Sequence, residues 1–359
     1  MKVLMISGDS KVFREDSSTF LRVKEYAKRV DYLEVVCLCS EKKIIEGDGF
    51  RITPVSKNLF SPFKIKSLVS SKIDLVTSQD PFFIGVVSLI VSRFLGAKLH
   101  TQVHTDVASP FFRKSFFGKI RFFLARKVLE KSNVIRYVSE KTKENIEKVF
   151  DVKSIPSDII PIITENPGLV SQFKDEEFLE FTKKFQKTIL LSGRFEKEKG
   201  IYEGVKIFVK DNLENSGLVV VGDGSMKGAI LNIIKSDSKN RVLVRPWAFD
   251  LGFYMRNVDV FWNNSFFEGF GMAIVESLQN GTPVITSRVG IADKVIDDRV
   301  NGLLYDAGDH AAIRNILKEI DKSDILHTLK VGVKNRSYNF YENQGEYYDR
   351  IVSNWKKAI

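Results

Sequence analysis

Short apolar runs rich in β-branched residues alternate with amphipathic segments along the first half of the chain. Runs such as KVLMIS, LEVVCLC, KLHTQVH and NVIRYVS are separated by helical patterns that include STFLRVKEYAKRV and EKTKENIEKV. Alternation of strand and helix patterns is typical of a parallel sheet covered by helices. The first half of the chain is therefore predicted to form an α/β domain.

A second series with the same alternation follows a break around Pro156 to Gly168, a stretch that holds three prolines. Its strand patterns are TILLSGR, GLVVVGDG, RVLVRPW, VDVFWNN and TPVITS, and they predict a second parallel sheet. Ligands of open α/β sheets bind beyond the carboxyl ends of the strands. Two such domains that face each other would therefore present strand-end loops to a shared cleft.

The length of 359 residues, with 43% hydrophobic and 28% charged residues, fits two folded domains at about 150 residues each. The apolar run from Pro81 to Ser92 has twelve residues, which is too short to span a bilayer and predicts a core helix. The N-terminus lacks the apolar core of a signal peptide and is interpreted as a first strand. We therefore expect a cytoplasmic protein.

The two cysteines, Cys37 and Cys39, lie two residues apart in the strand-like run LEVVCLCS. Alternate residues of a strand share a face but are too far apart for an unstrained disulfide. We expect two buried thiols in a reducing compartment, which also favours the cytoplasm.

The net charge of +10 favours anionic partners without choosing among them. The stretch from Pro110 to Lys131 shows the strongest local bias, with seven Lys or Arg, one Glu and six Phe. One interpretation is an element that lies on an acidic membrane surface. For a cytoplasmic protein, this surface would be the inner face of the membrane. The other is a helix whose Phe face packs inward while its lysines face solvent. Both interpretations remain open at this point.

Two loops follow predicted strands of the second half, and the first of them suggests anion binding. SGRFEKEKG follows the strand at Thr188–Leu191 and precedes a helix, which places Arg194 and Lys199 beside a helix N-terminus. Two cations together with free N–H groups form an anion site. The turn VGDGS, from Gly222 to Ser225, lacks the full dinucleotide fingerprint and indicates only a sharp backbone turn.

The third loop, NNSFFEGFGMAIVESLQNG, places two acids on either side of a helix start. Glu268 lies in the loop, and Gly269 and Gly271 open the turn. The helix is expected to start near Gly271 or Met272, and Glu276 follows more than one turn inside it. At about 1.5 Å rise per residue, these acids are too far apart to act on one bond. They suit the two ends of an elongated ligand, and the helix N-terminus between them favours negative charge. A nucleotide sugar has this shape and charge.

The segments GRFEKEKG, EGFGMAIVE and NGTPVI resemble, in order and spacing, the signature of the retaining glycosyltransferases of family four. That family has the GT-B fold, an α/β architecture of two Rossmann-like parallel-sheet domains facing across a cleft. The resemblance covers about Thr188 to Asp309, and the first half matches mainly in rhythm. It implies an acceptor-side domain over residues 1–165, a nucleotide-sugar donor domain over 166–335, and a C-terminal helix over 336–359 that crosses back to the first domain.

The resemblance also implies a role for each site residue. Arg194 and Lys199 would bind the donor diphosphate and stabilise the leaving group. Glu276 would hold the ribose, Glu268 would contact the donor sugar, and His104 would lie by the anomeric carbon from the opposite wall. Catalysis is thus assigned to the two cations, Glu268 and His104. The implied donor-binding set is completed by Gly8, Gly193, Gly269, Phe270, Gly271, Met272 and Ala273. Trp247 is added because its place after a strand could bring it against the base, although a tryptophan in this setting is more often a core residue.

The implied reaction is a retaining transfer of a hexosyl group from a nucleotide diphosphate sugar, UDP- or GDP-linked, to a hydroxyl acceptor. If the stretch from Pro110 to Lys131 docks on an acidic bilayer, this acceptor is expected to be lipid-linked or near a membrane. No cofactor is expected beyond this co-substrate. No Asp-x-Asp occurs in the sequence, so no metal requirement is predicted. Two alternatives are a nucleotide-sugar epimerase of similar fold, and a non-enzymatic protein that binds anionic lipid or nucleic acid. Nucleic acid is not an expected partner of the favoured enzyme.

Overall fold

The computed structural model describes residues 1–69, 71–164, 173–211, 213–247 and 250–359. The chain divides into two compact units, of which unit 1 is Met1–Ile163 with Phe340–Ile359 and unit 2 is Thr164–Asn339. The boundary expected between residues 165 and 166 lies outside the described residues. The second boundary is expected between residues 335 and 336. In the structure, unit 2 ends at Asn339, and unit 1 resumes at Phe340.

Unit 1 is built on a mainly parallel sheet. In chain order its strands are β1 Lys2–Ser7, β2 Tyr32–Leu38, β3 Ile45–Gly47, β4 Phe50–Val55, β5 Leu75–Ser78, β6 Lys98–Val103, β7 Val134–Tyr137 and β8 Ser157–Ile159. Within the described residues they form one eight-stranded sheet in the order β3-β4-β2-β1-β5-β6-β7-β8. Only the pair of β3 and β4 is antiparallel in that sheet. The central strands β1, β5 and β6 are almost continuously buried, as is expected of parallel strands that are covered on both faces.

Helices cover this sheet. Those that precede unit 2 are α1 Ser18–Ala27, α2 Ser61–Leu68, α3 Phe83–Leu95, α4 Phe116–Leu129 and α5 Glu140–Glu147, with short 3-10 turns at Ser10–Phe13 and Phe112–Lys114. The apolar run predicted as a core helix forms most of α3, which buries Val87 and Val91 and ends at Gly96 in the left-handed conformation, at a φ of 63°. Over the part of the chain that the structure describes, no helix is long and apolar enough to cross a membrane.

The two cysteines differ in their environment. Both are free thiols, but Cys37 is buried in the unit 1 core whereas Cys39 is half-buried. The expectation of two buried thiols is therefore wrong for Cys39. The reason is that β2 ends at Leu38, so Cys39 already lies where the chain leaves the sheet.

Unit 2 is built on a second parallel sheet. Its strands are β9 Lys187–Ser192, β10 Ser216–Val221, β11 Val242–Arg245, β12 Val260–Asn263, β13 Val284–Ser287 and β14 Gly302–Tyr305. In the described part of the chain they form a six-stranded sheet in the order β11-β10-β9-β12-β13-β14, with every neighbouring pair parallel. Its helices are α6 Glu176–Thr182, α7 Ile201–Lys210, α8 Lys227–Ile234, α9 Leu251–Arg256, α10 Met272–Gln279, α11 Ala292–Val295, α12 His310–Lys322 and α13 Ile325–Lys334, with a 3-10 turn at Lys197–Lys199.

The strand order of unit 2 reverses between β9 and β12. From β9 the chain proceeds outward through β10 and β11, and then returns to β12 on the other side of β9. Loops that leave neighbouring strands in opposite directions open a crevice at their carboxyl ends, and ligands of open α/β sheets bind at such a switch point. The order of the strands therefore places a binding crevice beyond Ser192 and Asn263.

The last helix, α14 Gln344–Lys356, belongs to unit 1. It begins at Asn343, whose side chain accepts a hydrogen bond from the Glu346 amide. Tyr347, Ile351 and Trp355, spaced four residues apart on one helix face, are buried in the main apolar cluster of unit 1. The helix therefore completes the core of the unit in which the chain begins.

Candidate functional site

The loop after β9 is fixed by one glycine. Gly200 starts α7 with a φ of 61°, a left-handed conformation that glycine adopts without penalty. A Cβ atom added there would lie 2.3 Å from the Asn264 carbonyl oxygen. The Asn264 side-chain amide donates a hydrogen bond of 2.7 Å to the Gly200 carbonyl. The loops after β9 and β12 are thus held against each other.

Lys199 and Glu268 meet at this junction. The Lys199 Nζ atom lies 2.6 Å from Glu268 Oε1, and the two side chains are 21% and 16% exposed. The Ser265 hydroxyl donates to the same carboxylate oxygen at 2.8 Å. This is an oriented, partly desolvated ion pair, and in such a setting electrostatic interactions are stronger than at a fully hydrated surface.

Arg194 is held much more loosely. Its side chain is 64% exposed, and its guanidinium contacts Glu198 at 3.0 Å. Exposed ion pairs of this kind contribute about 0–1 kcal/mol. An incoming anion can therefore take over the Arg194 guanidinium at little cost, and this geometry suits recognition of a phosphate group.

The glycine turn after β10 is docked on the same loop. The Ser225 amide and hydroxyl donate to the Glu196 carboxylate at 2.9 Å and 2.7 Å, and these bonds lower the pKa of Glu196. A Cβ atom at Gly222 would lie 2.1 Å from the Gly193 carbonyl oxygen. The sequence of this turn predicts only a sharp change of direction. In the structure the turn also supports the loop that carries Arg194.

The third loop ends at the start of α10. Gly271 precedes the helix in the left-handed conformation, with a φ of 93°. The Ile291 amide donates a hydrogen bond of 2.7 Å to the Phe270 carbonyl, and a Cβ atom at Gly290 would lie 2.2 Å from that oxygen. The helix therefore begins at Met272, one of the two positions expected.

A cavity of about 460 Å³ lies at the switch point of unit 2. This volume is within the range of small-ligand pockets. Its walls come from the loops after β9, β10, β11 and β12 and from the helices that follow them. The lining residues are Ser192, Gly193, Arg194, Lys199, Asp223, Trp247, Leu251, Asn263, Glu268 and Ala273.

Six of the residues predicted from the sequence thus share one cavity, namely Gly193, Arg194, Lys199, Trp247, Glu268 and Ala273. Trp247 is 59% exposed, which excludes its alternative role as a core residue. Gly269, Phe270 and Gly271 belong to the loop that carries Glu268, and Met272 begins α10, but all four residues are outside this lining set. Glu276 is half-buried one turn further along α10 and also lies outside it.

Four further residues line the cavity without having been predicted. Asp223 and Asn263 stand in the strand-end segments VGDGS and VFWNN, so their position at strand ends was a usable signal. Ser192 is the last residue of β9. Leu251 begins α9 and carries no such signal in the sequence. Among the described residues, no group of three or more His, Cys, Asp or Glu side chains is arranged to hold a metal ion.

His104 and Gly8 lie in unit 1. They follow β6 and β1, two strands of the same sheet with β5 between them. A Cβ atom at Gly8 would approach the Ile84 side chain to 3.1 Å, so this position has little room. Both residues occupy the carboxyl edge of the unit 1 sheet, whereas the other predicted site residues belong to unit 2.

A buried arginine orients the hydrogen-bond partner of His104. Arg136 donates a hydrogen bond of 2.6 Å to Gln102 Oε1, and His104 Nε2 lies 3.2 Å from the same oxygen. Since arginine can only donate, this atom is the amide oxygen, and His104 must donate to it from Nε2. Burial, with the Arg136 charge second, lowers the pKa of His104 to about 3. His104 is therefore neutral near pH 7, with Nδ1 unprotonated.

The basic and Phe-rich stretch from Pro110 to Lys131 exposes most of the phenylalanines of its helix, α4. Helix α4 packs inward through small and aliphatic residues, including Ala125, Val128 and Leu129. Its outward face carries exposed apolar side chains among the basic ones, namely Phe116, Phe117, Ile120 and Phe123. The alternative in which the Phe face packs inward is wrong for these phenylalanines, because the sheet side of the helix is already filled.

Comparison with known proteins gives the class. Residues 172–330 match the family model for glycosyl transferases group 1. The chain is 28% identical over 313 residues to an alpha-monoglucosyldiacylglycerol synthase of Streptococcus pneumoniae (strain ATCC BAA-255 / R6), covering 79% of this chain and 68% of that protein. It is 24% identical over 347 residues to the enzyme of the same name from Acholeplasma laidlawii, covering 86% and 82%.

Solved structures show the same fold. The Anabaena protein Alr3699/HepE, crystallised in complex with UDP, aligns over 100% of both chains with a TM-score of 0.72 at 16% identity. Fold, site and relatives together define this protein as a glycosyltransferase with the GT-B fold. More particularly, its residues 172–330 are similar to the group 1 glycosyltransferases, and the resemblance to family four noted in the sequence is confirmed.

Proposed function

We propose that this protein transfers a hexosyl group from a UDP- or GDP-sugar to the hydroxyl of a lipid-linked or membrane-proximal acceptor, with retention of the anomeric configuration and without a metal ion. The observation that supports this most directly is the Lys199–Glu268 pair beside Arg194 in the switch-point cavity of unit 2. That cavity offers a single ligand two cations, Lys199 and Arg194, with the Glu268 carboxylate beside the lysine.

The chemistry of such a transfer fits these groups. Cleavage of a glycosyl–phosphate bond builds negative charge on the departing diphosphate and positive charge on the sugar. Lys199 and Arg194 are placed to stabilise the diphosphate, and preorganised charges of this kind lower a barrier efficiently. Glu268 lies next to Lys199, so it can accept a hydrogen bond from a sugar hydroxyl while the lysine contacts a phosphate oxygen. Trp247, exposed at the cavity wall, offers a surface for the base.

A lipid-linked acceptor is supported by two independent observations. The relatives named above are glucosyldiacylglycerol synthases, which act on a membrane lipid by their names. Helix α4 presents Phe116, Phe117 and Phe123 to solvent among lysines and arginines. Apolar side chains bordered by cations suit the interface of an anionic bilayer. We therefore assign α4 as the segment that brings unit 1 to the surface where the acceptor resides.

Calorimetric titration tests the donor assignment. UDP and GDP are titrated separately into the wild type, Lys199→Ala and Lys318→Ala, the last being an exposed lysine on α12. We expect one diphosphate to bind with a Kd that rises about tenfold or more in Lys199→Ala and is unchanged in Lys318→Ala. Binding of neither diphosphate by the wild type, or equal binding by Lys199→Ala, would refute the proposed donor site.

Vesicle co-sedimentation tests the acceptor side. The wild type is expected to bind vesicles containing phosphatidylglycerol at low salt. The double variant Lys119→Glu with Lys127→Glu on α4 should lose most of this binding, since each basic residue near such a surface contributes about 1 kcal/mol. The charge-matched control, Lys318→Glu with Lys322→Glu on α12, should keep it. Equal loss in both double variants would show that only net charge matters.

A further inference from the structure

A second exposed apolar segment lies in unit 1, outside the stretch that the sequence drew attention to. Leu59 and Phe60, at the turn before α2, are 84% and 75% exposed, and Phe63 in the first turn of α2 is also exposed. Large exposed apolar patches on a soluble fold mark interaction surfaces. We call this segment, Lys57 to Lys66, the α2 patch.

The apolar tip of the α2 patch has a defined conformation. The Phe60 amide donates to Asn58 Oδ1 at 2.9 Å, and the Ser61 hydroxyl donates to the Ser56 carbonyl at 2.9 Å. Ile65 is fully buried and anchors α2 on the sheet. The inward side of the segment is thus already packed. Leu59 and Phe60 project from an ordered turn and not from a loose loop.

The charge around the α2 patch has one sign. The sequence from Lys57 to Lys72 contains four lysines and neither Asp nor Glu. The Lys66 ammonium lies 5.2 Å from the centre of the Phe94 ring, and Phe63 packs on the same ring at 5.4 Å. Cations and aromatic rings are therefore interleaved here as they are on α4.

A chain of contacts links the α2 patch to α4. The Lys57 ammonium lies 5.3 Å from the centre of the Phe83 ring at the start of α3. The neighbouring Phe82 stacks on Phe112 at 6.1 Å, and the Arg121 guanidinium of α4 lies 5.2 Å from the Phe82 ring centre. Basic and aromatic side chains thus run from α2 across the start of α3 to α4 on one side of the sheet.

We propose that the α2 patch is a second membrane-contact site, in which Leu59, Phe60 and Phe63 enter an anionic bilayer while the flanking lysines contact lipid phosphates. This inference rests on the proposed function, in which the acceptor is lipid-linked, and deepens it. Together with α4 it gives unit 1 two points of attachment. Two linked weak contacts bind far more tightly than either alone, and they also restrict rotation of the unit on the surface.

Charge complementarity selects the bilayer over the other occupants. In a two-fold contact between copies of this chain, the same patch meets itself, so the lysines of both copies would be brought together. An acidic bilayer instead supplies phosphates for the lysines and hydrocarbon for the three apolar side chains at once. One partner thus binds both the basic and the apolar side chains of the patch.

Depth-dependent fluorescence quenching provides the test. Phe60→Trp is prepared in the full chain, and Leu231→Trp on α8 of unit 2 is the control. The chain already contains three tryptophans, so the quenching of each variant is compared with that of the wild type. Both are mixed with vesicles of phosphatidylglycerol and phosphatidylcholine, with and without brominated acyl chains. We expect bromine quenching above the wild-type level for Phe60→Trp only. Absence of additional quenching at Phe60 would overturn the proposal.

Binding strength gives the second measurement. The variant Phe60→Ser with Phe63→Ser should lower the partition coefficient on these vesicles about tenfold or more, whereas Leu231→Ser leaves it unchanged. Full vesicle binding by the double variant overturns the proposal. So does Phe60-dependent self-association of a wild type that does not bind vesicles, which would identify a contact between copies. Titration of the nucleotide in the same variants separates the two hypotheses, because the α2 patch can fail while the donor site in unit 2 still binds.

Discussion

Lys199 Nζ lies 2.6 Å from Glu268 Oε1 and joins the loop after β9 to the loop after β12. The two loops diverge at the switch point of the unit 2 sheet, and Gly200 permits their close approach only because it has no side chain. A cation for phosphate and a carboxylate for hydroxyls are thereby fixed side by side.

A double-mutant cycle on this pair is the first prediction. We expect Lys199→Ala and Glu268→Gln each to lower kcat about 100-fold or more, as removal of a preorganised transition-state contact does. Because both contact the same ligand and each other, the double variant should lose less than the product of the single losses. Steady-state kinetics of the four proteins measures this, with circular dichroism as the check on folding. Strictly multiplicative losses would show that the two side chains act separately.

Arg194 is expected to affect ligand binding and not the stability of the fold. Its partner Glu198 holds it through an exposed contact, so Arg194→Ala should change the free energy of unfolding by less than about 1 kcal/mol. The same variant should weaken diphosphate binding about tenfold or more. Arg194→Lys keeps the charge but loses the planar fork, and we expect an intermediate Kd. Urea unfolding and calorimetry on the same preparations distinguish the two effects, and a large loss of stability would contradict the structure.

Trp355 and Trp247 form a matched pair of opposite character. Trp355 is fully buried in the unit 1 core, whereas Trp247 is exposed at the cavity of unit 2. We expect Trp355→Ala to lower the free energy of unfolding by about 3–5 kcal/mol and Trp247→Ala to change it by less than about 1 kcal/mol. Nucleotide binding should weaken in Trp247→Ala only. Denaturant titration followed by calorimetry tests both statements, and the reverse pattern would refute them.

The pattern of the chain predicts the two sheets and the face of α14, because strand and helix periods are local properties. Tyr347, Ile351 and Trp355 share a helix face at any orientation of the helix. The three glycine-containing loops of unit 2 are also predictable, since each follows a strand. Their meeting in one cavity depends on the order of the strands in the sheet, which no local pattern encodes.

Exposed apolar residues are the hardest feature to predict. Phenylalanine pairs such as Phe116 with Phe117 point to two sides of a helix, so spacing alone cannot decide which side is buried. No sequence pattern marks Leu59 and Phe60 as exposed, because an apolar residue near a helix start is ordinarily assigned to the core. The structure decides both cases, since small and aliphatic residues of α2 and α4 already fill the sheet side.

The state of His104 gives a prediction about pH. Its pKa in the folded protein, about 3, is below the ordinary value of 6.5. As pH falls below 6.5, the unfolded chain binds a proton that the folded protein does not bind until about pH 3, so stability is lost over this window. His104→Gln should therefore reduce the decline in the free energy of unfolding between pH 6.5 and 4. Because His104 is only half-buried, we expect its contribution to the decline in the free energy of unfolding to be about 1 kcal/mol in total. This is less than the full pKa shift would give.

Urea titrations at a series of pH values measure this decline. His100, which is fully buried and whose pKa is also lowered to about 3, contributes a decline of its own and remains in both proteins. His327→Gln on α13 is the control, and it should leave the pH profile unchanged. Identical profiles for the wild type and His104→Gln would mean that the imidazole is not shielded by its surroundings.

The stereochemistry and ion requirement of the reaction form the last prediction. The resemblance to family four predicts that the product keeps the anomeric configuration of the donor, and the absence of Asp-x-Asp predicts that transfer continues in the presence of a chelator. Lys199 and Arg194 line the cavity and can supply the positive charge at the diphosphate that an acid-bound metal supplies elsewhere. With an α-linked donor of gluco or galacto configuration, proton NMR of the first product formed should therefore show the small anomeric coupling of an α-linkage. Activity should be the same with and without EDTA. A large coupling would refute retention, and loss of activity that a divalent ion restores would refute metal independence, each without affecting the other.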